Sequence, residues 1–474
     1  MTRKFLRALL ASAAVMSWGP VSAETLTDTL IKAYQTSPLL DANRASLRAL
    51  DENVPQARSA LRPQVSATAG ATASTPVDDF PVNDVYAAEL QASLLLFDNG
   101  QSKAALESAR YSVASGRASL LNVEQEVLFA AITAYMDVIQ AQEFVRIARN
   151  DVKVLGEQLD ATNNRFEVGE VTRTDVSQTE ARLAQSRANL VDSEGALQIA
   201  RQAYLAAVGV MPGRLEPAPP HPQLPATVKE AEAIGVRQNP TIVAARFAER
   251  GAVSDFDRAR AASGLTIQAT GSVDYAGRHS LGPNSVQTIT GETIRGSNSA
   301  GDRVNLTLGV GASVPLYTGG RNSSLIRQAQ QVLEQRKFQV QDTGRQVIQQ
   351  VSNAWTQLDV ARASIVANKE QVVAAQIAFE GVTEEARLGA RSTLDVLDSD
   401  QERLRAEAEV FRAQRDEYVA AYAVLRSMGL LTVEHLNLGI DSYNPDVYFT
   451  EVQRAPMGGY DTSVVDRIRA RWEK

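Results

Sequence analysis

The feature that most constrains this chain is a seven-residue apolar repeat, sustained over about seventy residues and occurring twice. From Leu106 the series Leu106, Val113, Leu120, Val127, Ala134, Ala141, Ala148 and Leu155 recurs at intervals of seven, beside Val138, Val145, Val152, Leu159 and Phe166. From Ile326 the series Ile326, Leu333, Val340, Val347, Ala354, Ala361, Asn368, Ala375 and Val382 does the same, beside Val351, Leu358, Ile365, Val372 and Phe379. A heptad held this long means coiled-coil packing. No proline falls between Gly100 and Gly169 or between Gly320 and Gly389, so each segment can run as one helix of about 100 Å at 1.5 Å per residue. Such a helix rules out an ordinary compact domain. Alanines on the seam let helices approach closely, and the Arg, Gln and Glu elsewhere imply that much of the remaining surface is wet.

The chain is also internally repeated. LLLFDNGQ at 94–101 matches VPLYTGGR at 314–321, and the same offset of 220 carries RFEVGEVTRTDV at 165–176 onto EARLGARSTLDV at 385–396 and AAVGV at 206–210 onto RSMGL at 426–430. Upstream, TSPLL at 36–40 pairs with QNPTI at 238–242 at an offset of 202, so the second half gains 18 residues. The gain is placed in the Gly/Ser/Asn-rich segment 277–302, read as an enlarged loop. Each repeat has the same order: a moderate helix, two strands, a very long helix, a short break and a second long helix. The first repeat spans 24–210, with strands about 61–97 and long helices about 99–168 and 172–209. A linker at 211–225 holds six prolines and cannot continue a helix. The second repeat spans 226–436, with strands about 265–317 and helices about 319–388 and 392–429, and a tail follows at 437–474.

The strands are readable by alternation. Leu265, Ile267, Ala269, Val273 and Tyr275 interleave with polar residues, as do Val304, Leu306, Leu308, Val310, Ala312, Val314 and Leu316. The first repeat offers Val65, Ala67, Ala69 and Ala71, then Tyr86, Ala88, Leu90, Ala92, Leu94 and Leu96 against Glu89, Gln91 and Ser93. One face is apolar and the other polar. Strands of about 10 to 14 residues are long for a globular sheet and suit a tilted membrane strand with a polar lumen.

The first 23 residues have Arg3, Lys4 and Arg7 before an apolar stretch from Leu9 to Trp18, then Val21-Ser22-Ala23. This is the pattern of a secretory signal peptide, with the mature chain expected to begin at Glu24. After it no run of 18 apolar residues exists, so embedding in a membrane falls to strands. The formal net charge of -7 carries no basic block, which argues against nucleic acid as a partner. There is no cysteine, and His221, His279 and His435 form no ligand spacing. No GxSxG, Walker loop or HExxH occurs, leaving a secreted enzyme with little support, and no cofactor is expected.

Four membrane-type strands cannot close a barrel, and unpaired edges in lipid cost several kcal/mol per group, so copies must combine. Two, three or four chains would give about 8, 12 or 16 strands, and arithmetic alone does not choose among them. A coiled-coil periplasmic adaptor without a pore is the alternative reading, although adaptors usually carry one hairpin rather than two alternating with strand pairs.

The motifs RFEVGEVTRTDV and RLGARSTLDVLDSDQERL, with LLLFDNG and VPLYTGG, resemble the hairpin tips and strand-to-helix junctions of the TolC outer-membrane efflux family. The resemblance covers essentially residues 24–436. It implies a mainly α fold with membrane β: a homotrimer whose 12-stranded β-barrel, four strands per chain, continues into a long α-helical coiled-coil barrel built from two internal repeats. The implied place is the outer membrane of a Gram-negative bacterium, in contact with its lipid and extending into the periplasm. The implied role is the exit duct of a tripartite efflux or type I secretion system. Its partners would be a periplasmic adaptor (membrane fusion protein) and an inner-membrane efflux pump or ABC transporter, and the duct itself would perform no chemistry.

Residue by residue, Asp395 and Asp398 match the family's entrance constriction, where threefold symmetry would gather six carboxylates into a cation-selective gate. On spacing alone, two acids in a helix's first turn are also ordinary favourable placement. Arg391 matches the arginine that ties one tip to its neighbour, and Thr174 and Asp175 match the partner side, so these three would form a latch. Ala386 stands where an aromatic tyrosine often adds a latch hydrogen bond, which implies a closed state held differently. Gly169 and Gly389 suit helix-ending turns, and by resemblance the grooves around them receive adaptor tips.

Overall fold

The computed structural model of the chain describes residues 23–74, 82–281, 285–287, 293–295 and 302–454. The expected leader before Ala23, much of the segment 277–302 and the tail beyond Arg454 lie outside the described residues. In chain order the elements are α1 (Leu26–Thr36), α2 (Pro38–Asp51), α3 (Asn53–Ser59), β1 (Gln64–Ser74), β2 (Val82–Phe97), α4 (Gln101–Glu167) and α5 (Arg173–Val208). Then come α6 (Val228–Gln238), α7 (Pro240–Ala261), β3 (Thr266–Leu281), β4 (Ser285–Gln287), β5 (Thr293–Arg295), β6 (Arg303–Ser313), α8 (Arg321–Arg387), α9 (Thr393–Met428) and α10 (Pro445–Arg454).

Each opening that reads in sequence as one moderate helix is broken at a proline. Ser37, forced out of the helical region by Pro38, sits at φ -70° and ψ 112° between α1 and α2. Asn239 does the same before Pro240 and caps α7, its side chain accepting from the Thr241 amide at 2.9 Å. A second departure is the end of β6 at Ser313, where Pro315 removes a ladder donor. Leu316 beyond it is 93% exposed. A third is the short antiparallel pair β4–β5, inside the segment read as loop.

Two compact units are present, and α4 and α8 contribute to both. The first comprises 23–38, Glu124–Ala231 and Val351–Ile440. Its heptad positions turn inward as the spacing requires: Val127, Val138, Val145, Val351 and Leu358 are all buried. Tyr135 and Tyr204 are fully buried and share a polar cluster with Glu24. The Glu24 carboxylate receives Lys32 Nζ and the Tyr204 hydroxyl, each at 2.8 Å, and the Gly213 amide at 3.3 Å. Burial alone would push Glu24 up, but these donors outweigh it and hold its carboxyl below the usual range.

The second unit comprises the described residues within Leu39–Val123 and Glu232–Gln350, together with 441–454. Its helical core joins Val54 on α3 to Leu106 and Val113 on α4, with Leu50, Ala57, Ala109 and Phe449 against them. Gly116 lets α4 approach α2, because a Cβ there would lie 2.8 Å from Leu50 Cδ1. The sheet is antiparallel in the order β1-β2-β3-β6. Its register aligns Ala67, Leu90, Val273 and Leu306 on one face and Thr68, Glu89, Asp274 and Asn305 on the other. A sheet in a soluble domain buries one face, whereas every residue of β6 is exposed on a single chain, Leu308 at 77%.

Candidate functional site at the hairpin tips

Each long helical hairpin turns on the same local chemistry. At the first tip Gly169, at φ +82°, ends α4: its amide bonds the Phe166 carbonyl at 3.0 Å and the Glu170 amide bonds the Arg165 carbonyl at 2.8 Å. At the second, Gly389, at φ +75°, donates to Ala386 O at 3.1 Å, and Ala390 donates to Glu385 O at 2.9 Å. Both are helix stops that place one residue in the left-handed region, where glycine carries no Cβ penalty. Three residues later a capping box starts the return helix. Thr172 and Asp175 exchange hydroxyl and carboxylate bonds with each other's amides at 3.3 and 2.8 Å, and Ser392 and Asp395 do so at 3.2 and 3.0 Å. The turns also present Val168 and Leu388 to solvent, 72% and 86% exposed.

The candidate gate residues therefore have local partners. Bonds from the Ser392 hydroxyl and amide hold the Asp395 carboxyl below its usual range. Asp398, one helical turn on, is bound by Arg182 of α5, whose other terminal nitrogen reaches Gln401 Oε1 at 3.0 Å. Arg391 donates to Glu385 at 2.8 Å within its own hairpin, and bonding to Glu385 raises its guanidinium further above its ordinary value. Within one chain the structure does not bring Arg391 to Thr174 or Asp175: Thr174 is exposed, and Asp175 is engaged with Thr172.

Behind the tips the two hairpins meet on α5 and α9. Leu155, Leu183 and Leu397 form a buried cluster there, each side chain contributing about 2 kcal/mol by burial. Polar contacts continue along the seam. Ser186 donates to Asp151 at 2.5 Å, while Arg403 grips Asp400 at 2.6 Å and Glu407 at 2.7 Å. Burial, opposed by the Ser186 hydroxyl and reinforced by the Asp400 charge, pushes the Asp151 carboxyl up. Sequence reading missed Arg182. The available signal is its place seven residues after Asp175, on the same stripe of α5.

Among the described residues no cluster of His, Cys, Asp or Glu could hold a metal ion, and no helix is long and apolar enough to cross a membrane. The tips carry charged pairs, left-handed turns and exposed apolar residues. Long paired helices and an antiparallel sheet with its apolar face bare suit an outer-membrane channel protein, and comparison with known proteins agrees. The chain belongs to the outer membrane efflux protein family, whose sequence model matches residues 30–210 and 236–430. Its place is the outer membrane, and it belongs with the transport and secretion channels rather than with the periplasmic adaptors. It is 34% identical to outer membrane efflux protein BepC of Brucella suis biovar 1 (strain 1330), over 94% of each chain. It is 25% identical to outer membrane protein TolC of Vibrio cholerae serotype O1, over 92% of this chain and 97% of that one. Its fold matches the crystal structure of VceC from Vibrio cholerae with a TM-score of 0.70 at 19% identity, over 85% of this chain and 96% of the other.

Proposed function

We propose that three copies of this chain form the exit duct of a tripartite efflux or secretion assembly, with a gated periplasmic entrance at the hairpin tips. The observation that carries this reading is the pair of edge strands β1 and β6, each paired on one side only among the described residues. In lipid such edges must be matched, and β6 of one copy against β1 of the next would close a 12-stranded barrel. Its outer face would be the Ala67, Leu90, Val273 and Leu306 row, and its lumen the Glu89 and Asp274 row.

Equal lengths support construction from two repeats: α4 and α8 have 67 residues each, α5 and α9 have 36 each. Buried heptads support their continuation as a coiled-coil tube. At the tips Asp395 and Asp398 would line the constriction. Arg391 would bridge to Thr174 and Asp175 of a neighbouring copy, and Arg182 would clasp Asp398 within each copy, where Ala386 offers no aromatic hydroxyl. The exposed Val168 and Leu388 beside Gly169 and Gly389 suit docking of a periplasmic adaptor, which would couple the duct to an inner-membrane pump or ABC transporter. The duct performs no chemistry of its own.

The test is conductance of purified protein in planar bilayers. Wild type is expected to prefer cations and to be blocked by trivalent cations, and Asp395→Ala combined with Asp398→Ala to weaken both effects. Unchanged selectivity would remove the gate assignment, and absence of any conductance would remove the duct.

A further inference from the structure

The segment 441–454 carries no motif in sequence, yet it forms α10 and packs within the second unit through one face. The Tyr443 ring lies beneath the Arg44 guanidinium at 5.3 Å. Asp446 binds Arg117 of α4 at 2.8 Å, and the Tyr448 hydroxyl donates to Glu52 at 3.0 Å. Phe449 packs on the Val54, Leu106 and Val113 cluster with Arg117 over its ring at 5.1 Å. The opposite face is open, with Val447 58% exposed.

Under this contact sits an unsatisfied carboxylate. Asp51, the last residue of α2, is 0% exposed, and neither of its oxygens has a hydrogen-bond partner. Buried polar groups are normally paired, and an unpaired ionised one is costly. The cation whose charge acts on it is Arg117, whose Nε and second terminal nitrogen are likewise buried without partners while its other terminal nitrogen pairs with Asp446. Glu52 and Asp446 add negative charge nearby. Tyr448 faces the site from α10 but stays a neutral phenol, its proton held to about 12 by burial and Glu52. Arg48, on the same helix as Asp51, buries an unpartnered Nε.

We propose that α10 is a detachable strap, clasped in acid and loosened toward neutral pH, because Asp51 and Asp446 compete for the single guanidinium of Arg117. When Asp51 carries a proton it makes no claim on Arg117, and Asp446 keeps it. When Asp51 ionises, lifting α10 admits water and frees Arg117 to turn to it, which uncovers the apolar cluster that Phe449 had closed. The direction follows from burial, which raises Asp51 from the ordinary carboxylate value of 3.8 to about 6 with the strap down. A raised value means that stability is fully present below the ordinary pKa and is lost as pH rises through about 6.

The chain has no cysteine, so Val447→Cys gives one labelling site on the open face of α10. A nitroxide there, on the full chain in detergent, reports the mobile fraction by electron paramagnetic resonance. The mobile-to-immobile ratio is expected to rise about tenfold between about pH 5 and pH 7.5. Asp51→Asn should stay immobile at both pH values, and Asp446→Ala should be mobile at both. A mobile fraction independent of pH in the parent overturns the proposal, as does an undiminished pH response in Asp51→Asn or an Asp446→Ala variant that stays clasped. None of these readouts depends on conductance.

Discussion

Arg182 on α5 holds Asp398 on α9, joining the two helical hairpins of one chain across 216 positions of sequence. Both side chains are partly exposed, at 33% and 55%, so water screens the pair. Its worth is under about 1 kcal/mol, too little to move Tm much but enough for a factor of about five in an open-to-closed ratio. Arg182→Ala is accordingly expected to raise channel open probability in planar bilayers without a measurable loss of Tm. Arg182→Asp combined with Asp398→Arg should restore it. A silent Arg182→Ala beside an active Asp395→Ala would place the clasp elsewhere and leave the gate standing.

The return helices depend on their caps. Thr172→Ala should cost about 1 kcal/mol locally, read as faster hydrogen exchange of the first-turn amides of α5. Ser392→Ala removes the hydroxyl that holds Asp395 down, and the Asp395 pKa should move up towards the ordinary value in a carbon-13 NMR titration. A lowered carboxyl contributes stability above the ordinary carboxylate range and loses it as pH falls through its folded value, below about 4. Protection of the first turn of α9 should therefore fade in acid in the wild type and be weak throughout in Ser392→Ala.

Two left-handed glycines separate conformational cost from collision. Gly389 has open space around a would-be Cβ, so Gly389→Ala should cost only the backbone strain, about 1 kcal/mol. Gly209 ends α5 at φ +84°, with Thr36 Oγ1 2.6 Å from a would-be Cβ. Thr36 also donates to the Val208 carbonyl at 2.7 Å. Gly209→Ala should therefore lower Tm by clearly more than Gly389→Ala, and equal shifts would contradict the packing described.

The two faces of the sheet should respond oppositely to charge. Leu308→Lys puts an ammonium on the apolar face, costing about 2 to 4 kcal/mol per chain if that face meets lipid, and heat-resistant oligomer in outer-membrane fractions should fall sharply. Thr307→Lys, one residue away on the polar face, should leave the oligomer intact.

What the sequence made legible is what has a period. The long helices announced themselves because Val127, Val138, Val351 and Leu358 fall on a seven-residue grid and are buried in the structure. The sheet could be read from alternation, which settled which of Leu306 and Thr307 shares a face with Leu90. Tip turns were visible as Gly169 and Gly389. Contacts between distant segments have no such signature. Nothing local in Arg182 names Asp398 as its partner, and nothing in the tail names Glu52 or Arg117. The breaks at Ser37 and Asn239 were open to reading from the prolines that follow them, but were absorbed into longer apolar runs. The short β4–β5 pair sits in a Gly/Ser-rich segment whose composition hides it.

The uncovered rim of the four-stranded sheet has a biosynthetic consequence. Among the described residues β1 and β6 each leave one row of amides and carbonyls unmatched, and β6 shows Val304, Leu306, Leu308 and Val310 to solvent. A newly exported copy on its own is therefore a hazard, since such a border templates pairing with any extended neighbour. In the proposed trimer, holding chaperones and rapid meeting of siblings would be part of how this protein is made, and folding would be complete only with assembly.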